Sequence, residues 1–331
     1  MIDNVGVLYL AHYAPNEFGV PAYFNAEHAV YAKYHMDIYN ILKKNCPHFL
    51  SSNDPSVILS PPPGVNYIFS LYNRMPFRNS EVFISAVAEY YKYAYLGARP
   101  NIRALAEDKH LAKMMASYVG VPTPRWNVYN IGESTTIPDF DPPYFVKPRF
   151  GAASKYIDEN SICTNWESAV QRISYLHSHQ QDVILEQFVS GIYTTSPVLH
   201  NFGSTLSLPC VKQKSTMMGN VVTYQQKRKI IGGLERTVLS NLDLTRTIQA
   251  YSLEMFKMVQ PLDCTRFDYI IEEQTGKPYF LEFNVCCNLG AHSTLSQAAA
   301  QLDIGYEALI LNVLFSSMFR QKLTENILYK F

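Results

Sequence analysis

Two carboxylates that face each other in a predicted β-hairpin are the residues of this sequence best placed to do chemistry. The stretch TRFDYIIEEQTGKPYFLEFN predicts two strands joined by a turn centred on Thr275. If the strands pair symmetrically about that residue, Asp268 lies opposite Glu282, and Arg266 lies opposite Asn284. Side chains alternate between the two faces of a strand, so all four would share one face of the hairpin.

Opposed carboxylates repel each other, and a hairpin that holds them together implies a bound cation. The oxygen ligands of Asp268, Glu282 and Asn284 suit Mg²⁺, which prefers a few carboxylates together with substrate phosphates. The hairpin therefore predicts a site for magnesium and a nucleotide. A solvated acidic face on an edge hairpin is the alternative that the residues alone leave open, although the flanking Phe267 and Phe283 weaken it.

Two lysines could place positive charge near such a nucleotide. Lys109 lies at the start of a predicted helix, and Lys147 closes a predicted strand shortly before a loop of small residues. A turn that contains glycine exposes backbone N–H groups to an anion, and a lysine adds a point charge. Each lysine alone would most simply be a surface charge, but together with the acidic hairpin they predict phosphate binding. The loop residues are Gly151, Ala152, Ala153 and Ser154.

Length, composition and charge limit the class of protein. At roughly 150 residues per domain, a chain of 331 residues predicts two or three packed units. Apolar residues make up 47%, which excludes an intrinsically disordered chain. Lysine plus arginine number 28, and aspartate plus glutamate also number 28, so no broad positive field predicts nucleic acid or an anionic membrane as a partner.

The cysteines and the N-terminal segment favour a cytoplasmic protein. The six cysteines include no CxxC pair and no repeating spacing, which favours reduced thiols over a zinc ribbon or a secreted disulfide framework. The first residues, MIDNVGVLYL, are typical of a first strand rather than of a signal peptide. No apolar run reaches the length of about 18 residues needed to cross a bilayer, so we expect no membrane-spanning segment.

The elements that must position these residues begin as an α/β layer and continue as a mixture of helices and strands. Apolar runs bounded by proline and glycine predict the strands, and helical periodicity with stop signals predicts the helices. A capping box formed by Thr164 and Glu167 starts one of the helices. The other predicted helices cover residues 25–44, 80–93, 107–119, 243–259 and 303–319, and the predicted strands outside the hairpin cover 5–10, 57–60, 67–71, 144–147 and 183–188.

Four motifs follow one another along the chain: DKHLAKMMASYVGVPTP, YFVKPRFGAAS, VILEQFVSG and LEFNVCCNLGAHS. Together they resemble the ATP-grasp superfamily, and within it the D-alanine:D-alanine ligase branch, over residues 98–314. The resemblance implies an ATP-grasp fold of mixed α/β and α+β class. An N-terminal parallel α/β domain of residues 1–105 would precede two α+β subdomains, 106–188 and 189–331, that clasp ATP.

The resemblance also assigns residues to ATP. It implies that Lys109 and Lys147 bind the phosphates, with a catalytic part for Lys147, and that the loop 151–154 closes over them. The side chain of Glu186 and the backbone near Val189 would contact the adenine.

Further along the chain, the resemblance implies that Lys227 is another lysine of the nucleotide site. Arg266 matches the arginine that steadies the reacting phosphoryl group and the oxyanion. The three metal ligands predicted from the hairpin match the magnesium ligands of the family. His292 and Ser293 lie where the family has a loop that holds the carboxylate of the acceptor substrate.

The sequence departs from the family pattern where the sugar and the first substrate bind. The ribose-binding glutamate of the family is Tyr193 here, so the contacts to the sugar must differ. AHYAPNEFG and SLYNRMPFRNSE stand in place of the family's glycine-serine-glutamate signature and its histidine-glycine-rich turn. A pair of free D-alanines is therefore not the expected substrate. Asn73, Arg74 and Arg78 become candidates for contacting a different carboxylate, with plain loop charges as the alternative.

The predicted activity is that of an ATP-dependent carboxylate–amine ligase. Such an enzyme uses ATP and Mg²⁺ to activate an amino-acid or peptide carboxylate as an acyl phosphate, forms an amide and releases ADP. The amine could come from a second molecule or from the same one, which would give a lactam. A small-molecule kinase and a nucleotide-binding regulator without turnover are the alternatives, and the resemblance suggests a homodimer.

Overall fold

Three β-sheets organise the chain in the structure, which is a computed structural model. The structure describes residues 4–16, 29–72, 75, 80–151, 154–215, 234–325 and 329–331. One sheet is parallel and the other two are antiparallel, and helices pack on all three. This mixture confirms the predicted combination of α/β and α+β structure.

The first sheet is parallel, with strand order β2-β1-β3-β4. Its strands are β1 (Gly6–Leu10), β2 (His48–Ser52), β3 (Val65–Ser70) and β4 (Ala94–Tyr95). In β1, Val7 and Tyr9 pack into one hydrophobic cluster while Leu8 and Leu10 pack into another. Burial on both faces explains why this strand is a continuous apolar run, and it confirms the strand predicted at 5–10.

The strand predicted at 57–60 is wrong. These residues begin inside a 3₁₀ helix, Pro55–Leu59, where the side chain of Asp54 accepts a hydrogen bond from the backbone N–H of Ser56. An aspartate cap followed by proline is a helix-start signal that outweighs the apolar residues after it. The true second strand, HFLSS, was not predicted because its only two fully buried residues are both serines.

Two helices flank the first sheet, α1 (Ala29–Asn45) and α2 (Phe83–Tyr91), and a single 3₁₀ turn, Ser80–Val82, precedes α2. Both helices lie where the sequence predicts them. Two more, α3 (Pro100–Glu107) and α4 (Lys109–Tyr118), lead to the second sheet.

The second sheet is antiparallel, with strand order β5-β8-β6-β7, and α5 (Trp166–Ser178) packs against it. Its strands are β5 (Trp126–Tyr129), β6 (Tyr144–Pro148), β7 (Ile162–Cys163) and β8 (Val183–Gln187). The two strands predicted in this region are β6 and β8. The capping box of α5 is formed by Asn165 and Ser168, one residue later than predicted.

The third sheet is also antiparallel and has the order β12-β11-β9-β13-β14, with β10 paired to β9. Its strands are β9 (Gly191–Asn201), β10 (Ser204–Ser207), β11 (Val211–Ser215), β12 (Leu234–Val238), β13 (Cys264–Glu272) and β14 (Pro278–Asn284). Helices α6 (Leu242–Val259), α7 (Thr294–Ala300) and α8 (Tyr306–Arg320) follow β12 and β14. Among the described helices, none is long and apolar enough to span a membrane.

The predicted hairpin is present, and its register at the polar end is confirmed. Arg266 pairs with Asn284, and Asp268 pairs with Glu282. Beyond this point the register shifts by one residue, so that Tyr269 pairs with Phe280. The strand β13 is not at an edge, because β9 pairs with it on the other side.

Candidate active site

One face of the third sheet carries a row of polar side chains, and the other face is part of the core. Asp268 on β13 lies between Glu282 on β14 and Thr195 on β9. Neighbouring positions in sequence point to the opposite face, where Phe267 and Phe283 belong to a hydrophobic cluster. Period-two alternation therefore brings the polar residues to one surface.

Asp268 is fully buried and held by hydrogen bonds, which contradicts the alternative of a solvated acidic face. Its side chain is 0% exposed. The hydroxyl of Thr195 donates to Oδ1 at 2.8 Å, and the amide Nδ2 of Asn284 donates to Oδ2 at 3.3 Å. Burial, with Asp268 the next largest influence, raises the pKa of Tyr193 well above its usual range, so this phenol stays protonated and hydrogen bonds to Asp268.

Arg266 is the cation closest to this carboxylate among the described residues. Its Nε lies 3.4 Å from Oδ2 of Asp268, and the guanidinium is three-quarters buried. Burial favours the uncharged form, but the Asp268 carboxylate outweighs it, and the net effect raises the pKa of Arg266 above its ordinary value. The side chain remains a fixed positive charge beside the acidic pair.

The donor atoms of the hairpin fit a magnesium ion. The Nδ2 atom of Asn284 faces Asp268, which leaves its Oδ1 as an oxygen ligand beside the carboxylates of Asp268 and Glu282. Among the described residues, no group of three or more His, Cys, Asp and Glu side chains could hold a metal by itself. Two carboxylates and an amide would leave the remaining positions to water and phosphate, as Mg²⁺ prefers.

A second charged cluster is built around a buried glutamate on β8. Glu186 is 2% exposed, and its carboxylate lies 3.0 Å from Nζ of Lys147 on β6 and 3.1 Å from Nζ of Lys113 on α4. Lys113, which is fully buried, also donates to the hydroxyl of Thr123 at 2.8 Å. Sequence reasoning missed Lys113, although its spacing of four residues from Lys109 places both on one helix face.

The pKa values of the cluster reflect burial opposed by ion pairing. Burial lowers the pKa of Lys113 to about 8, although Glu186 raises it in part. Burial alone would raise the pKa of Glu186, but Lys113 and Lys147 together outweigh it, so the net effect lowers this pKa. Burial also lowers the pKa of Lys109. The glutamate is therefore ionised and holds two ammonium groups at its oxygens.

The small-residue loop is fastened to the start of α4. Asp108 caps this helix and also binds Arg149, with 2.6 Å between Oδ2 and a terminal guanidinium nitrogen. Nζ of Lys109 donates to the carbonyl oxygen of Gly151 at 2.5 Å. Gly151 has a φ of +86°, a conformation that favours glycine, so the turn that presents this carbonyl depends on the residue type. Ser154 follows in the same loop, while Ala152 and Ala153 lie outside the described residues.

The lysine cluster and the acidic hairpin lie close to each other. The hydroxyl of Thr123 accepts from Lys113 and donates to the carbonyl oxygen of Phe280 on β14 at 2.8 Å. The charge of Glu282 raises the pKa of both Lys109 and Lys113, against the larger effect of burial. The structure thus brings together lysines and carboxylates that are more than a hundred residues apart in sequence.

A cavity of about 450 Å³ opens beside the hairpin, between the third sheet and the loops that follow β1 and β3. Five residues predicted from the sequence line it, namely Tyr193, Arg266, Asn284, His292 and Ser293. Sequence reasoning did not identify Tyr34, His35, Gln213 and Arg236, which also line it. No local motif signals these residues, because they come from three separate elements, α1, β11 and β12.

The predicted acceptor loop forms one wall of the cavity. Nδ2 of Asn288 and Nε2 of His292 are 3.4 Å apart, and the ring of Tyr34 on α1 packs edge-on against that of His292. The backbone N–H of Leu289 donates to the hydroxyl of Tyr34 at 3.3 Å. The side chain of Ser293 caps α7 by accepting from the backbone N–H of Ser296. The loop is therefore held by α1 on one side and by the start of α7 on the other.

The remaining predicted residues are placed as follows. Val189 lies half-buried in the short connection between β8 and β9. Asn73, Arg74, Arg78 and Lys227 lie outside the described residues.

His35 in the cavity wall should make the fold sensitive to acid. Burial lowers its pKa to about 3, and its Nδ1 accepts the backbone N–H of Tyr13 at 3.2 Å. The unfolded chain, with a histidine pKa of about 6.5, therefore binds more protons between pH 6.5 and about 3, and the free energy of unfolding falls as the pH falls through this window.

We expect His35→Gln, which keeps an acceptor, to lose less stability than wild type between pH 7 and pH 5 in urea denaturation. The exposed His179→Gln provides the control. An unchanged pH dependence in His35→Gln would contradict this account of His35.

Comparisons with known proteins identify the fold and the family of this chain. The chain superposes on the crystal structure of D-alanine–D-alanine ligase from Bacillus anthracis complexed with ATP with a TM-score of 0.74 and 16% identity, covering 96% of this chain and 97% of that one. D-alanine–D-alanine ligase of Clostridium beijerinckii is 26% identical over 229 residues, which are 68% of this chain and 72% of the relative. The corresponding ligase of Paracidovorax citrulli is 26% identical over 226 residues, 66% of this chain and 65% of the relative.

The fold is therefore the ATP-grasp fold, and the class is that of ATP-dependent, ADP-forming carboxylate–amine ligases. A family model described as the C-terminus of D-ala D-ala ligase matches residues 115–315, which is more than half of the chain, so the chain belongs to this family. The match includes the hairpin, Lys147, Glu186 and the acceptor loop. Membership favours amide formation over the kinase and the regulator that the sequence left open.

Proposed function

We propose that this ligase activates its acid substrate as an acyl phosphate at the acidic hairpin and forms the amide in the adjacent cavity. One observation supports this most strongly. The face that carries Arg266, Asp268, Glu282 and Asn284 lies next to a buried lysine cluster on one side and to the cavity on the other. A phosphate donor and a carboxylate acceptor bound in these two places would meet at Arg266.

The lysines would bind the phosphates of ATP. Lys109 and Lys147 lie beside the loop 151–154, and Glu186 holds Lys147 and the additional Lys113 in place. The carboxylate of Glu186 is already paired with Lys113 and Lys147. Adenine could therefore contact this carboxylate only alongside the two lysines. The connection at Val189 and the segment containing Lys227 complete the proposed nucleotide site.

The residues Asp268, Glu282 and Asn284 would hold Mg²⁺, which would supply neutralising charge for the phosphate oxygens. Arg266 would orient the substrate carboxylate and balance the negative charge that develops on the transferred phosphoryl group. It would then stabilise the oxyanion formed when the amine attacks the acyl phosphate. Tyr193 would keep Asp268 in position rather than bind the ribose.

Isotope transfer tests the acyl phosphate. We expect an acid substrate labelled with ¹⁸O in its carboxylate to pass one labelled oxygen to the released phosphate, with ADP as the nucleotide product. Hydroxylamine can replace the amine and trap the activated acid as a hydroxamate. Release of AMP and pyrophosphate, or phosphate without label, would contradict the mechanism.

The lining of the cavity indicates which acid the enzyme binds. The related ligases are named for D-alanine, but the loops after β1 and β3 differ from the family signatures. These loops contribute His12, Tyr13, Leu71 and Tyr72 to the cavity, beside Ser70 at the end of β3. We therefore propose an amino-acid or peptide acid other than D-alanine, with Asn73, Arg74 and Arg78 as further candidate contacts. Mass spectrometry distinguishes a lactam, which loses one water from a single substrate, from a product that joins two masses.

We also propose a cytoplasmic location and a homodimer. All six cysteines are free thiols, which together with the use of ATP supports a cytoplasmic location. The family resemblance supports a homodimer, and light scattering coupled to size exclusion would measure its mass.

A further inference from the structure

The charge of the cavity points to the chemistry of its substrate. The described residues that line it include three arginines, Arg103, Arg236 and Arg266, but no aspartate or glutamate. A pocket of this size is in the range of small-molecule sites, and cations that converge on it without acids attract an anion. The lining therefore suits a substrate that carries more negative than positive charge.

Only two of these arginines are available to a ligand. The guanidinium of Arg103 is committed to the protein, because it donates to the carbonyl oxygens of Ala98 and Leu96 at 2.8 Å each and contacts Cys286. Arg266 serves the proposed transfer of the phosphoryl group. Arg236 has no part in the mechanism described above.

A chain of hydrogen bonds fixes Arg236 to the catalytic face. A carboxylate only accepts, so the hydroxyl proton of Thr195 must go to Asp268, and the hydroxyl oxygen then accepts Nε2 of Gln213 at 3.1 Å. This orientation turns Oε1 of Gln213 toward Nε of Arg236, which donates to it at 3.3 Å. These hydrogen bonds fix the position of the Arg236 guanidinium relative to Asp268 of the hairpin, through residues on β9, β11 and β12.

The terminal nitrogens of Arg236 are the groups left for a ligand. Among the described residues, no carboxylate lies within ion-pair distance of this side chain, and its one hydrogen bond uses Nε. Arg236 is half-buried, and burial followed by the charge of Arg266 lowers its pKa. Two guanidinium groups that face one cavity and repel each other would be stabilised by an anion between them.

We propose that Arg236 binds a second carboxylate of the acid substrate, so that the enzyme activates one carboxylate of a dicarboxylic acid. This inference rests on the proposed function, because it takes the cavity as the site of the acid. Arg236 is then a specificity-determining residue that contacts the carboxylate that does not react. The phosphates of the nucleotide are the other source of negative charge, and the test separates the two.

The experiment measures ADP release with hydroxylamine as the amine, using glutamate and aspartate in both enantiomeric forms against glutamine and asparagine. We expect wild type to favour the dicarboxylic acids, and Arg236→Gln to raise their KM about 10- to 100-fold while the KM for ATP stays unchanged. The exposed Arg246→Gln is the matched control. Equal use of acids and amides by wild type, or a raised KM for ATP in Arg236→Gln, would overturn the proposal.

Thermal unfolding without ATP separates this inference from the proposed function. If none of the four amino acids supports ADP release, the proposed function fails for free amino acids, and the same assay with peptide acids tests the rest of it. Stabilisation of wild type by glutamate or aspartate, but not by the amides and not in Arg236→Gln, would still support the carboxylate site. Absence of any such stabilisation would overturn it.

Discussion

Glu282→Gln should lower the turnover number by at least about 100-fold while the protein stays folded. The substitution keeps the size of the side chain and removes one of the two carboxylates that we assign to magnesium. Glu282 is only partly buried on the edge strand β14, so the fold does not depend on its charge. Removing a ligand should also raise the magnesium concentration at which turnover is half-maximal.

Steady-state ADP release at increasing magnesium concentrations measures this effect. Glu273→Gln, at the exposed turn of the same hairpin, is the matched control and should behave like wild type. Near-normal turnover of Glu282→Gln at low magnesium would show that the hairpin does not bind the magnesium of the proposed site.

Lys147→Met should have the second large effect. Lys147 is 4% exposed and lies 3.0 Å from Glu186 beside the phosphate loop. Its loss should lower kcat/KM for ATP by about 100- to 1,000-fold, because water cannot replace the positive charge of a buried lysine beside a phosphate. Lys113 would still pair with Glu186, so the carboxylate would keep one partner and the protein should fold.

The readouts are kcat/KM for ATP and the affinity for a non-hydrolysable ATP analogue, measured by calorimetry. Lys155→Met changes an exposed lysine of the same loop region and is expected to leave both unchanged. If Lys147→Met unfolds at the same temperature as wild type and binds the analogue equally well, the lysine cluster does not bind the nucleotide.

The hairpin could be predicted because its evidence is local. Its two strands lie next to each other in sequence, and the residues of the turn specify where the pairing begins. The pairing of Asp268 with Glu282 followed from that symmetry alone. The observed register differs from the predicted one only after Asp268, where it shifts by one residue. The position of β13 inside the sheet could not be predicted, because its other partner, β9, lies some seventy residues away.

The rest of the candidate site depends on contacts between distant segments. Lys113 looked like an ordinary helix residue, and only the fold shows that Glu186 lies against it. Arg236 and Gln213 lie on strands β12 and β11. No signal in the sequence indicated the positions of these strands in the sheet. The function of such polar residues depends on where the fold places them. Their neighbours in sequence do not reveal this position.

We propose that Asp268, Glu282 and Asn284 hold the metal of a metal–nucleotide complex. Anomalous diffraction from crystals grown with Mn²⁺ and a non-hydrolysable ATP analogue tests it most directly. We expect a manganese peak within coordination distance of these three side chains, with the phosphates of the analogue extending toward Lys109 and Lys147. A nucleotide bound with its manganese elsewhere, and with no peak at the hairpin, would contradict it.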